Sequence, residues 1–126
     1  MAIEKQVSNA EYMVLDWLWN QTETITSHEI LEHFSATIGW KNATISTFLR
    51  RLVEKGYIQA TRRGRTFIYT TCISRKEYEA LRASSFLHTG YNGSLKNFVA
   101  AYATVPENRA EVAELREWFL KEFDGK

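Results

Sequence analysis

The sequence predicts a mainly α fold with a small β-hairpin wing, arranged as a winged helix-turn-helix head plus a C-terminal helical arm. Three observations support this. Capping signals precede stretches whose apolar residues recur at helical spacing. After Gly56 that spacing gives way to two short runs rich in Tyr, Ile, Thr and Phe around Gly64. Residues 41–72 also hold a concentration of positive charge that neither flank shares.

Four helix starts are marked by a capping box or a close relative of one: Ser8 with Glu11, Thr26 with Glu29, Ser74 with Glu77, and Asn108 with Glu111. Behind the first lies a stripe of Met13, Val14, Trp17 and Leu18, and behind the second Ile30, Leu31 and Phe34. Tyr78 and Leu81 follow the third, and Val112, Leu115, Trp118 and Phe119 the fourth. A further helix starts near Asn42 without a box, because Ile45, Phe48, Leu49, Leu52 and Val53 follow the i, i+3, i+4, i+7, i+8 pattern. Gly56 is its stop. Residues 57–63 and 66–72 then read as two antiparallel strands joined by a short basic turn. Three helices followed by a hairpin is the winged helix-turn-helix order, so residues 1–73 are expected to form the head and residues 74–126 the arm. The arm carries no strand signal and reads as wholly helical, broken at residues 90–93 and at Pro106. Leu95, Phe98, Val99 and Tyr102 line a helix too short to bury them alone, so they need a partner surface, either the head or a second copy.

Length and composition narrow the class. With 126 residues and 44% hydrophobic content, the chain can fill one core and one appended arm. No window approaches the roughly 20 apolar residues needed to span a bilayer, and Met1 to Val7 holds no long apolar run, so a cytoplasmic protein without stable membrane association is expected. Cys72 is the only cysteine, which rules out an intrachain disulfide, and its place at the end of an apolar strand predicts a small buried residue. Trp17, Trp19, Trp40 and Trp118 are expected to be packing residues. His28, His33 and His88 form no compact ligand set, no nucleophile and base grouping stands out, and Gly90 to Gly93 is a turn rather than a phosphate loop. Neither a cofactor, a metal nor an enzymatic activity is expected.

The charge distribution points to a polyanion. Lys41, Arg50, Arg51, Lys55, Arg62, Arg63 and Arg65 stand against Glu54 alone in residues 41–72, a net of +6, whereas residues 1–40 are net −5 and residues 73–126 neutral. On the helix after Asn42, the face opposite the apolar stripe presents Ala43, Thr47, Arg50, Arg51 and Glu54, with Thr44, Lys55 and Ser46 at its margins. Short hydroxyls reach base edges and the thymine methyl, and arginine reaches guanine or phosphate. A turn of Arg62, Arg63, Gly64 and Arg65 directly afterwards suits flanking phosphates. The expected DNA-binding set is therefore Lys41, Ala43, Thr44, Ser46, Thr47, Arg50, Arg51, Arg62, Arg63 and Arg65.

Several stretches resemble the penicillinase-repressor family of the BlaI/MecI/CopY type. Glu11, Met13, Val14, Leu15 and Trp19 are similar to its opening. Trp40-Lys41-Asn42-Ala43-Thr44-Ile45-Ser46-Thr47 resembles its recognition helix, with Leu49-Arg50-Arg51-Leu52-Val53-Glu54-Lys55-Gly56 as the continuation. Gly64-Arg65 with Phe67-Ile68-Tyr69 looks like its wing, and Ser85-Phe86-Leu87 with Tyr91-Asn92-Gly93 like the start of its dimerisation arm. The similarity runs from about residue 8 to the C-terminus. It implies a homodimeric transcriptional repressor on an inverted-repeat double-stranded DNA operator, held together by C-terminal helices. Leu95, Phe98, Val99, Tyr102, Leu115 and Phe119 present more apolar surface than one short helix pair can hide, which makes them the expected dimerisation set. In the β-lactam branch a membrane sensor with a cytoplasmic metalloprotease domain triggers cleavage in the arm, which implies a sensor-linked protease as a further partner.

This chain departs from the family pattern in two places. Ala43 replaces the usual lysine of the recognition helix. The family's scissile Asn-Phe falls at Ala101-Tyr102, while an Asn97-Phe98 pair sits four residues earlier. Copper sensing through a run of four cysteines is excluded, since the chain has one. The competing expectations are a winged-helix protein-interaction module, whose basic hairpin meets an acidic protein, and a repressor released by a small-molecule ligand.

Overall fold

The computed structural model describes residues 6–123, so residues 1–5 of the N-terminal stretch and the last three residues lie outside it. Two compact units meet in sequence between Leu81 and Arg82. The first unit extends past the residue-73 boundary drawn from sequence, because Tyr78 is buried in its core and Leu81 packs against it.

Helix α1 (Asn9–Trp19) begins at a reciprocal capping box. The Glu11 N–H donates to Ser8 Oγ at 3.1 Å and the Ser8 N–H to Glu11 Oε1 at 3.2 Å. Its buried row is Glu11, Val14, Leu15 and Leu18, and Met13 is instead 43% exposed. A charged residue heads the inward row, which is why a purely apolar reading placed Met13 inside. Strand β1 (Ile25–Thr26) is only two residues long and left no periodicity to detect. Thr26 also caps α2 (Ser27–Thr37) with Glu29, and the Thr26 backbone and hydroxyl hydrogen bonds hold the Glu29 carboxyl below its usual pKa.

Helix α3 (Asn42–Glu54) buries Ile45, Leu49 and Leu52. It closes where expected: Gly56 adopts φ +89°, its N–H donates to the Val53 carbonyl at 3.0 Å, and the Tyr57 N–H donates to the Leu52 carbonyl at 3.0 Å. This pair of bonds is a Schellman closure, which favours glycine at the left-handed position. Strands β2 (Ile58–Arg63) and β3 (Thr66–Thr71) pair antiparallel from Ile58 with Thr71 to Arg63 with Thr66, and the sheet order is β1-β3-β2. The linking Gly64 has φ +64° and Arg65 does not share that sign, as a two-residue hairpin turn with glycine first requires.

Leu15, Ile30, Ile45, Leu52, Ile58 and Val14 are fully buried at the centre of this unit. Cys72 is exposed, contrary to expectation. Its N–H pairs with the Tyr57 carbonyl at 2.8 Å, and the next residue, Ile73, turns into the core instead. Trp17, Trp19 and Trp40 pack against the core as predicted. Trp19 also donates its indole N–H to the Ile73 carbonyl at 2.9 Å and carries the Arg75 guanidinium 4.9 Å above its ring. Arg75 is further held by Asp16, which secures the start of α4 (Arg75–Tyr91) beside α1. Ser74 and Glu77 cap α4 as expected.

In the second unit α4 runs through Gly90 and breaks at Asn92 and Gly93, both left-handed with φ 52° and 75°. Helix α5 (Leu95–Ala103) is capped by Ser94, a 3-10 turn spans Pro106–Asn108, and α6 covers Arg109–Phe123. The expected Asn108 and Glu111 box does not form. Asn108 lies inside the 3-10 turn and donates its amide to the Tyr102 carbonyl at 3.0 Å, while Glu111 accepts the Tyr102 hydroxyl. That hydrogen bond raises the Tyr102 pKa, because it favours the protonated phenol. Trp118 is half-exposed within this unit and touches Phe119 and Phe123, so it does not pack as the other three tryptophans do.

Burial separates neighbouring positions on α1 sharply. Leu15→Ala should destabilise the protein by about 2–5 kcal/mol in urea unfolding, whereas Met13→Ala should stay within about 0.5 kcal/mol.

Candidate nucleic-acid interface

With Ile45, Leu49 and Leu52 turned inward, rotation by about 100° per residue fixes what α3 shows on its other side. Ala43, Thr44, Ser46, Arg50 and Glu54 are exposed there, and Lys41 is exposed at the N-cap. No side chain caps the first turn of α3, so its backbone N–H groups remain turned outward at the positive end of the helix. Thr47 is half-buried, and its hydroxyl donates to the Ala43 carbonyl at 3.0 Å. The hydroxyl hydrogen is thereby committed, leaving the methyl group and the oxygen lone pairs for outside contact.

The basic residues of α3 differ in how they are held. Arg50 and Glu54 form a loose i, i+4 pair at 3.5 Å with both side chains 61% exposed, a geometry that restrains neither in water. Arg51 leans toward α1, with Nη1 3.9 Å from Glu11 Oε2, and stays about half-exposed. Lys55 is drawn inward: Nζ donates to Glu11 Oε1 at 2.6 Å and to the Gln6 carbonyl at 2.7 Å. The expected outer face therefore holds for Ala43, Arg50 and Glu54, is shared by Arg51 and the half-buried Thr47, and loses Lys55 from its margin.

On the wing, Arg62, Arg63 and Arg65 are all exposed. Arg62 folds back, its Nε–H donating to the Gly64 carbonyl at 3.0 Å. Arg63 pairs across the strands with Thr66, and Arg62 with Phe67. Phe67 is 43% exposed, an apolar surface that the strand pattern had assigned only to the sheet. Glu11 was likewise missed as a group acting on α3, since its place in a capping box and in the family-like opening says nothing of α3. Beside α1 lies an open, mainly apolar groove of about 260 Å³ lined by Met13, Trp17, His33 and Ile38 among others.

In the second unit Leu95 is exposed, and Phe98, Val99 and Tyr102 are half-buried. Phe98 meets Phe86 and Tyr91 edge-on and lies parallel to Tyr102. Leu115, Trp118, Phe119, Leu120 and Phe123 are exposed along α6. Apolar surface of this extent usually marks an interface. Ala101 is exposed, but its carbonyl accepts both the Thr104 hydroxyl at 2.7 Å and the Thr104 N–H at 3.2 Å, so the peptide between Ala101 and Tyr102 is held in helical geometry.

Among the described residues no group of three His, Cys, Asp or Glu side chains could hold a metal ion. None of the described helices is long and apolar enough to cross a membrane.

The sequence profile of the penicillinase repressor family matches residues 7–120. The chain is 36% identical over 94 residues to the penicillinase repressor of Bacillus licheniformis, covering 75% of this chain and 73% of that protein. It is 23% identical over 112 residues to the methicillin resistance regulatory protein MecI of Staphylococcus aureus, covering 88% and 90%. Among solved structures it is similar to the DNA-binding domain of the repressor BlaI, with TM-score 0.56 and 35% identity over 62% of this chain and 94% of that one. The monomeric form of Bacillus licheniformis BlaI bound to the blaP half-operator matches over the same shares, at 35% identity and TM-score 0.52.

Proposed function

The chain belongs to the penicillinase repressor family, and we propose that it is a transcriptional repressor that binds double-stranded operator DNA through α3 and the β2–β3 wing. One observation supports this reading above the others. The exposed side of α3 carries Thr44, Ser46 and Arg50 beside the exposed arginines of the wing, on a head 35% identical to one solved with its half-operator. In this reading Thr44 and Thr47 meet base edges or thymine methyls, Arg50 and Arg51 reach bases or phosphates, and Lys41, Arg63 and Arg65 hold phosphates. Arg62 supports the turn. Ala43 is too short to extend a contact where the family carries lysine, so one operator contact is lost or made by a neighbour.

The apolar surfaces of α5 and α6, centred on Leu95, Phe98, Val99, Tyr102, Leu115 and Phe119, serve a homodimer on an inverted-repeat operator. Joining two heads raises the effective concentration of the second site by orders of magnitude, so losing the arm weakens DNA binding without touching the head. A sensor-linked protease cutting near Ala101-Tyr102, or at Asn97-Phe98, would exploit this dependence. The helical hydrogen bonds at Ala101 mean that such a cut needs local opening first. The protein acts in the cytoplasm without an enzymatic activity of its own.

DNA affinity should fall steeply with salt, and Arg63→Ala with Arg65→Ala should weaken operator and random duplexes alike. Thr47→Ala should cost about 1–3 kcal/mol at the operator only. Fluorescence anisotropy on both duplexes separates these effects; equal losses for the Thr47 variant would remove it as a base reader.

In sedimentation, the full chain should be a dimer at micromolar concentration. A fragment ending at Leu81, which keeps Tyr78 in the core, should be a folded monomer. A monomeric full chain would defeat the arm's assignment.

Mass spectrometry on cells exposed to a β-lactam should find the arm cut between residues 97 and 102. Intact protein alongside an induced target gene would rule out proteolysis as the signal.

A further inference from the structure

Glu11 is 1% exposed and is the one buried charged side chain among the described residues. Its carboxylate belongs to α1, yet both cations around it, Arg51 and Lys55, come from α3 and lie one helical turn apart. The capping box with Ser8 fixes where this carboxylate sits. Lys55 is held by two acceptors, Glu11 Oε1 and the Gln6 carbonyl, and its side chain is 22% exposed. Arg51, at 3.9 Å from the other oxygen and 52% exposed, is tethered loosely enough to keep its reach.

We propose that Glu11 is a positioning residue for DNA recognition, one that withdraws Lys55 from the DNA-facing surface and aims Arg51. The inference rests on the reading of α3 as the DNA-contacting helix. A cation released at Lys55 would find phosphates on any sequence and add affinity that carries no information. By holding that charge on α1, Glu11 leaves α3 to present hydroxyls and two arginines, so binding depends more on bases and less on bulk charge. Stability alone is a weak reason to bury an ion pair, because desolvation cancels much of its attraction.

The test measures affinity of the full-length protein across a salt series, on an operator duplex selected from a random pool by the wild-type protein and on a random duplex of equal length. Glu11→Gln keeps a side-chain carbonyl for the Ser8 N–H and removes the charge. It should raise affinity for the random duplex several-fold at low salt, steepen the salt slope by about 0.9, and lower the ratio of operator to random affinity. Lys55→Met alone should leave the slope unchanged, and the double variant should return it to the wild-type value.

A parallel loss on both duplexes with an unchanged slope would make Glu11 merely structural, and wild-type behaviour of Glu11→Gln would dismiss it as a positioning residue. A Lys55→Met slope flattened by about 0.9 would show Lys55 already on phosphate and overturn the proposal even if Glu11→Gln failed to fold. Wild-type protein that enriched no duplex from the pool would instead overturn the DNA-binding reading, and this assignment with it.

Discussion

A carboxylate taken out of water must find a cation, and in this head that requirement ties the first helix to the third. Glu11 is removed from solvent in the same row as Val14, Leu15 and Leu18, and Lys55 reaches it from the C-terminal cap of α3. Removing one partner of a buried pair costs about 3–5 kcal/mol in general, less where one partner keeps contact with water as Lys55 does. The pair fixes one end of α3. The burial of Ile45, Leu49 and Leu52 fixes its rotation, and the left-handed Gly56 delivers the chain into β2. What α3 turns outward follows from these three constraints together.

The wing depends on a similar economy of shape. Gly64 takes the positive φ that closes a two-residue turn, which places Arg63 opposite Thr66 and leaves Arg63 and Arg65 in solvent at the tip of the hairpin. The two basic regions differ in kind: the α3 charges are partly answered by Glu11 and Glu54, while among the described residues no acidic side chain pairs with Arg63 or Arg65. A surface of this sort can hold phosphates at the wing while α3 contributes shape and hydrogen bonding, which is how affinity and discrimination are divided in duplex recognition. The second unit has another character. Its helices satisfy their own backbone and leave rings and leucines exposed along α6, an apolar surface unlike the basic one of the head.

Much of this organisation was legible in the sequence because it rests on local rules. Ser8 with Glu11, Thr26 with Glu29 and Ser74 with Glu77 cap their helices as their spacing announced, and Gly56 and Gly64 turn the chain where only a permissive residue fits easily. The misses share another cause. Cys72, Met13 and Trp118 were placed by apolarity alone, whereas tertiary contacts decided which neighbour turned inward. Asn108 and Glu111 had the spacing of a cap but were claimed by Tyr102 from the preceding helix. β1 is too short to carry a period. The tie from Glu11 to Lys55 joins residues 44 positions apart and could not be read from either end.

Backbone amide chemical shifts of the head, followed by nuclear magnetic resonance during titration with a selected operator duplex, test the central claim most directly. The account predicts the largest changes at Ala43, Thr44, Thr47 and the Gly64-Arg65 turn, with little change around Met13, Trp17 and Ile38, which line the apolar groove beside α1. Changes concentrated in that groove, with α3 and the wing unaffected, would contradict it.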